Sequence, residues 1–181
     1  MSLNVLDIVM NSVKAGAKLV TIDIVQKQLL EIVIGDDGCG MEPEFLRRVI
    51  DPFTTTRTTR KVGMGIPLFK LAAEMAGGTF SIVSEVGVGT TVRATFDPEN
   101  IDCPPIGDMA GTMTTLLSGY PDIDFVYHRA VGENAFTVDT RQIRDIMGDI
   151  PLSSFEVTSF VREMINENET ELTEAEGANK L

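Results

Sequence analysis

A mostly apolar run, Leu29 to Ile34, ends abruptly in Gly35-Asp-Asp-Gly-Cys-Gly-Met41. The run has the character of a buried strand. Behind it come a carboxylate, Asp36, and two spaced glycines, Gly38 and Gly40. A carboxylate at a strand end can accept a hydrogen bond from a ligand amine. The glycines let the backbone approach that ligand and take positive φ. Asp-Gly pairs also make ordinary turns, so this stretch alone leaves both readings open.

The chain of 181 residues is long enough for one domain with a proper core, or for one domain with an appendage. No apolar run reaches the length of a membrane span, and no secretory signal opens the sequence, so no membrane partner is expected. Cys39 and Cys103 make neither a metal spacing nor a disulfide framework, which points to the cytoplasm. Charge is unevenly spread. Residues 1–96 hold ten acidic and ten basic residues, whereas 97–181 hold seventeen acidic and five basic, and so carry the whole net charge of −12. The shift marks a boundary at Asp97-Pro98. The second part would repel phosphates, which excludes nucleic acid as its partner.

Asn4 to Ala17 reads as a helix, with Leu6, Val9, Met10 and Val13 as its core stripe and Asn4 as a candidate cap. Asp7, Asn11 and Lys14 fall in a second row; they are either a functional row or a solvated face. Leu19–Val25 and Leu29–Ile34 read as a hairpin, and Glu42–Ile50 as a short helix. Thr54 to Lys61 has no apolar residue and reads as a mobile cationic loop. Val62-Gly-Met-Gly65 then opens an apolar helix over Ile66–Ala76. Glycines there suit an anion site at a helix N-terminus, or simply a tight turn. Strands are expected at Thr79–Ser84 and Thr91–Phe96, joined by Gly87-Val-Gly-Thr90. The class implied is α/β, a two-layer α+β sandwich.

In this order, the Asp7–Asn11–Lys14 helix, the Asp36-x-Gly38-x-Gly40 loop, the Phe53 segment, Gly63-x-Gly65 before a helix, and Gly89-Thr90 resemble the GHKL ATPase superfamily of histidine kinases, DNA gyrase, MutL and heat-shock chaperone ATPases. Asp51-Pro-Phe-Thr-Thr-Thr-Arg57 and the glycines after it are most similar to the ATP-binding domain of histidine kinases. The resemblance covers residues 4–96 and implies a Bergerat-type mixed sheet with helices on one face. It implies ATP and Mg²⁺ as cofactors. Asn11 would hold Mg²⁺, Lys14 would contact phosphate, and Asp36 would accept the adenine amine, with Thr90 in support. Gly38, Gly40, Met41 and Phe53 would border the base. Gly63, Met64, Gly65 and Ile66 would offer N–H groups to the phosphates. Arg57, Arg60 or Lys61 are chemically suited to reach the γ-phosphate.

Hydrolysing members carry a Glu where this chain has Asp7, one methylene shorter, and often an acidic residue where it has Met10. Both departures bear on hydrolysis more than on binding. No phosphoacceptor and dimerisation helix is expected before Asn11, and the one histidine, His128, falls in a predicted strand, so it is read as structural or surface rather than as a phosphoacceptor.

The second part reads as a helix over Met109–Leu117, a hairpin over Ile123–Asp139 around Gly132-Glu-Asn134, and helices over Arg141–Met147 and Ser154–Asn166. The expected division is therefore an ATP-binding domain over 1–97, an α/β appendage over 98–166, and an acidic frayed tail over 167–181. The appendage either packs on the first sheet, docks a basic partner, or makes a homodimer contact. The function implied by the resemblance is a stand-alone kinase or regulator that uses ATP on a partner protein. An ATP-hydrolysing switch and a non-catalytic nucleotide sensor are the alternatives.

Overall fold

The computed structural model describes residues 1–50 and 64–179. In chain order the elements are α1 (Ser2–Lys14), β1 (Leu19–Gln26), β2 (Leu30–Asp36), α2 (Pro43–Ile50), α3 (Gly65–Met75), β3 (Phe80–Glu85), β4 (Gly89–Phe96), α4 (Met109–Gly119), β5 (Asp124–Val131), β6 (Asn134–Asp139), α5 (Thr140–Met147) and α6 (Phe155–Asn179). The six strands form one mixed sheet in the order β3-β4-β2-β1-β5-β6. All neighbours are antiparallel except β1 and β5, which run parallel from Leu19↔Asp124 to Gln26↔Val131.

Alternation along each strand sends one set of side chains under the helices. A single apolar row crosses all six strands in register: Ile82, Val92, Ile34, Ile22, Tyr127 and Val138. Ile22, Ile34, Val92, Tyr127 and Val138 are at most 2% exposed. Burying each such side chain stabilises the fold by roughly 1.5–3 kcal/mol. The change of charge at residue 97 is thus not a change of core. The expected appendage supplies two strands to the same sheet, because β1 has a second edge and β5 satisfies it. An apolar strand pattern shows that a strand is buried, but not which edge it joins.

The next row runs Phe80, Ala94, Ile32, Ile24, Arg129 and Phe136. Arg129 is 4% exposed and is held by Glu169 of α6, Nε to Oε2 at 3.5 Å, and by the Ala130 carbonyl at 2.8 Å. Tyr127 donates to the other oxygen of Glu169 at 2.7 Å. Burial, and then the Glu169 charge, pushes the Tyr127 phenol far above its ordinary range. The helix expected over 154–166 therefore runs on to Asn179. Glu169 latches it to the sheet, and Leu172 is only 6% exposed.

The core stripe of α1 also differs from the expected one. Val5, Ile8, Val9 and Ser12 are buried, whereas Leu6 and Val13 only flank the core. The cap position is Met1, so Asn4 lies within the helix. On the sheet face away from the helices, His128 Nδ1 meets Thr137 Oγ1 at 2.9 Å, and His128 pairs in register with Asp23. Partial burial pushes the Asp23 carboxyl up, and the neighbouring His128 opposes that shift.

Candidate functional site

α1, the end of β2, α2 and the start of α3 surround a cleft of about 400 Å³. Its apolar floor includes Ile8, Ile34, Val49 and Val92. Ile34 and Val92 belong to the first apolar row of the sheet and Ile8 to the buried face of α1, while Val49 of α2 is itself only 3% exposed. Polar groups enter from two sides. Asn11 and Lys14 come from α1, one turn apart; Asp36 and Thr90 come from β2 and β4, where they pair in register.

The Asp36 carboxylate is fixed at both oxygens. Ser12 Oγ donates to Oδ2 at 2.6 Å, and the Gly38 N–H donates to Oδ1 at 2.9 Å. Ser12 is 3% exposed. An ionised carboxylate offers about four lone-pair sites, so two acceptor positions remain for a ligand. Beside it, Thr90 Oγ1 lies 2.9 Å from Ser84 Oγ. Ser84 in turn accepts from the Met41 N–H at 2.9 Å.

The loop after Asp36 is pinned on both flanks. Asp37 Oδ1 accepts from the N–H groups of Lys18 and Leu19 at 2.7 and 2.9 Å. The Leu19 bond above all holds its carboxyl below the usual carboxylate value. The Cys39 N–H reaches the Ala15 carbonyl, and the Cys39 carbonyl accepts from the Gly87 N–H, both at 2.9 Å. Gly40 has φ +67°, and a β-carbon there would run into the Glu85 carbonyl. Only glycine fits.

At α3, the Gly65 and Ile66 N–H groups lie in the first turn, where they have no intrahelical acceptor. Among the described residues no side chain caps this end. It is therefore a positive helix terminus, and Ile66, the second residue of α3, lines the cleft wall. A β-carbon on Gly65 would lie 2.9 Å from that of Asp7, so α3 starts directly against α1.

Of the residues singled out in the sequence, Asn11, Lys14, Asp36, Gly40, Met41, Ile66 and Thr90 share the cleft wall. Gly38 is buried just behind it, under Asp36 and against Ala15. Asp7, Gly65 and Met64 are not part of the wall; Asp7 and Gly65 abut each other, and Met64 is 68% exposed. Phe53, Arg57, Arg60, Lys61 and Gly63 lie outside the described residues. Sequence reasoning missed Ser12 and Ser84. For Ser12 a signal existed, since it continues the Val5, Ile8, Val9 row of α1. For Ser84 nothing local marks the role, because its partners come from Met41 and Thr90.

Among the described residues no three His, Cys, Asp or Glu side chains cluster as metal ligands, and no helix is long and apolar enough to cross a membrane.

Comparison with known proteins adds independent findings. A family model described as histidine kinase-, DNA gyrase B-, and HSP90-like ATPase matches residues 3–100. A probable C4-dicarboxylate sensor kinase of Bacillus subtilis (strain 168) is 34% identical over 86 residues, 47% of this chain but 16% of that protein. The histidine protein kinase DivJ of Caulobacter vibrioides is 38% identical over 68 residues, 35% of this chain and 11% of that protein. The chain thus corresponds to a small part of those relatives. Among solved structures, the N-terminal domain of a DNA repair protein aligns with a TM-score of 0.56 at 13% identity, covering 82% of this chain and 57% of its own. The Aquifex aeolicus MutL ATPase domain complexed with ADP aligns with a TM-score of 0.50 at 14% identity, covering 90% and 87%. These two likenesses concern the fold, and they extend well past residue 100.

Proposed function

The chain belongs to the histidine kinase-, DNA gyrase B- and HSP90-like ATPase family, and from that premise we propose that it binds Mg-ATP in the α1–β2–α3 cleft and uses it on a separate partner protein. The observation that carries this reading is the Asp36 carboxylate, fixed by Ser12 and Gly38 with two acceptor positions left over the cleft. An adenine amine supplies the donor such a group needs, and a buried bond of this kind selects the base. Thr90, held beside Ser84, supports the base from β4. Gly40 and Met41 border it.

The phosphates then point toward Lys14 and the start of α3, which no side chain caps among the described residues and where Met64, Gly65 and Ile66 offer N–H groups at the positive end of the dipole. Mg²⁺ takes hard oxygen ligands, keeps several waters, and is commonly held by a side chain or two plus phosphate oxygens. The Asn11 amide oxygen suits that role, and the lack of a carboxylate cluster among the described residues agrees with a metal that arrives with its nucleotide. Phe53, Arg57, Arg60, Lys61 and Gly63 keep their expected roles at the base and phosphates. The acceptor is a protein side chain, so the activity is that of a cytoplasmic kinase or regulator.

Calorimetry with ATP, with and without Mg²⁺, on wild type and Asp36→Asn tests the site: binding should need Asp36, and wild-type protein that does not bind ATP refutes it. Product analysis then follows the γ-phosphate. Phosphoprotein supports the kinase reading, while free phosphate favours a hydrolytic switch. The switch has one observation in its favour: Asp7 stands one turn before Asn11, against the first residue of α3. Asp7→Asn should then abolish turnover and spare ATP affinity.

A further inference from the structure

α4 and α6 pack side by side, and between their outer faces runs an open groove of about 590 Å³. Its α4 wall is made of small groups: Thr114, Thr115, Ser118 and Gly119. Its α6 wall is made of Phe155, Thr158, Ser159 and Arg162. Phe155 is 81% exposed at the rim, a large aromatic surface left in water.

The adjacent row of α6 reads Glu156, Phe160, Glu163, Glu167, Glu171 and Glu174, spaced by four, three, four, four and three residues. All are exposed, Phe160 at 46%. Like charges at this spacing cost a helix about 0.2–0.5 kcal/mol per pair. None of these five carboxylates has an ion-pair partner among the described residues. The four arginines of the second part are already committed elsewhere: Arg129 to Glu169, Arg141 to Asp139, Arg144 to Asp124, and Arg162 to Asp108. Among the described residues no cation of this chain compensates the row, so it offers a surface complementary to a basic partner.

We propose that the α4–α6 groove and the glutamate row beside it form a docking surface for a lysine- or arginine-rich amphipathic helix of a protein partner. A helix laid in the groove sets its apolar side against the small α4 residues and Phe155. Its basic flank then meets the glutamates, with Phe160 as an apolar anchor between them. From Glu156 to Glu174 the row spans about 27 Å, the length of an 18-residue helix. Nucleic acid is repelled by this surface, and so is a second copy of the chain, which would set one glutamate row against another. The inference rests on the reading that the chain acts on a partner protein. It names the partner's surface chemistry and the face that receives it, on elements outside the nucleotide cleft.

The test uses the full chain and a labelled synthetic 18-residue helix with lysines on one flank and leucines on the adjacent face. Two controls are a peptide of the same composition with the leucines scrambled and one with glutamates for the lysines. Anisotropy should show binding of the first peptide that weakens as salt rises. Glu163→Gln/Glu167→Gln/Glu171→Gln should weaken it at least tenfold, and Phe160→Ala should weaken it several-fold while leaving the salt dependence unchanged. Amide shift changes in an NMR titration should fall on α4 and α6. Equal binding of the scrambled peptide, equal binding by the triple variant, shifts elsewhere, or no binding each overturns the proposal, and so does a concentration-dependent dimer that uses this face. ATP affinity is measured on the same samples. Loss of ATP binding in wild type refutes the nucleotide reading, whereas failure of the peptide with ATP binding intact refutes only the docking surface.

Discussion

Replacing Ser12 by Ala removes one of the two donors that fix Asp36 and changes little else. Ser12 is 3% exposed in the last turn of α1, and its hydroxyl reaches Asp36 Oδ2 at 2.6 Å. Alanine suits a helix interior better than serine does, so α1 itself should not suffer. A hydrogen bond to a charged group contributes about 1.5–3 kcal/mol. Part of that is lost equally from the free and the nucleotide-bound protein. The part that reaches affinity is the cost of holding a carboxylate that now pivots on the Gly38 N–H alone. If this is about 1.4 kcal/mol, the Kd for ATP rises roughly tenfold. Selectivity should fall as well. Guanine presents a carbonyl oxygen where adenine presents its amine, and a fixed carboxylate repels that oxygen more than a mobile one. The assay is calorimetry with ATP and with GTP on wild type, Ser12→Ala, Asp36→Asn and the double variant, with thermal unfolding of the free proteins as a control on folding. Ser12 acts through Asp36, so the two single losses should not add. Fully additive losses, or an unchanged ATP-to-GTP ratio in Ser12→Ala, would refute the reasoning.

Other expectations follow from the same geometry. Gly40→Ala forces a side chain into φ +67° and against the Glu85 carbonyl; we expect a loss of about 2 kcal/mol or more in urea unfolding, and a loss within error would mean the loop relaxes freely. The folded Asp37 carboxyl lies below its usual value of 3.8, so its stabilisation is complete above that pH and is lost as pH falls through the lower folded value. Asp37→Asn should therefore be less stable than wild type at neutral pH, with the gap closing in acid below pH 3.8; a gap that widens in acid has the wrong sign. Leu172→Ala should destabilise by about 2 kcal/mol, the low end for a buried leucine. Hydrogen exchange should show residues beyond 166 protected as far as that turn, and a neutral substitution with fast exchange there would contradict the latched helix.

The strands and the order of site motifs were legible because both are local. Period-two burial marks Ile22, Ile24, Ile32 and Ile34, and glycine spacing marks the Asp36 loop. What stayed hidden depends on partners distant in sequence. Ser12 continues the Val5, Ile8, Val9 spacing, but its role shows only once Asp36, 24 positions on, accepts a hydrogen bond from its hydroxyl. The face of α1 shifted because Leu6, Val9, Met10 and Val13 satisfy helical spacing as well as Val5, Ile8, Val9 and Ser12 do, and only the buried serine breaks the tie. The glutamate-rich end of α6 reads as a fraying tail by composition. It is helical because Glu169 closes on Tyr127 and Arg129, 42 and 40 positions earlier.

Homology and cooperativity do not share a boundary in this molecule. The family match ends at residue 100, but the parallel partner of β1 begins at Asp124. A fragment cut at the edge of the match would keep every cleft residue and lose β5, leaving β1 with a bare hydrogen-bonding edge and the row through Ile22 and Ile24 open at one side. Such an edge templates strand addition by other chains. The proposed nucleotide site is therefore hostage to the part of the sequence that contributes nothing to its wall, and a fragment of residues 1–100 should aggregate where the full chain stays monodisperse.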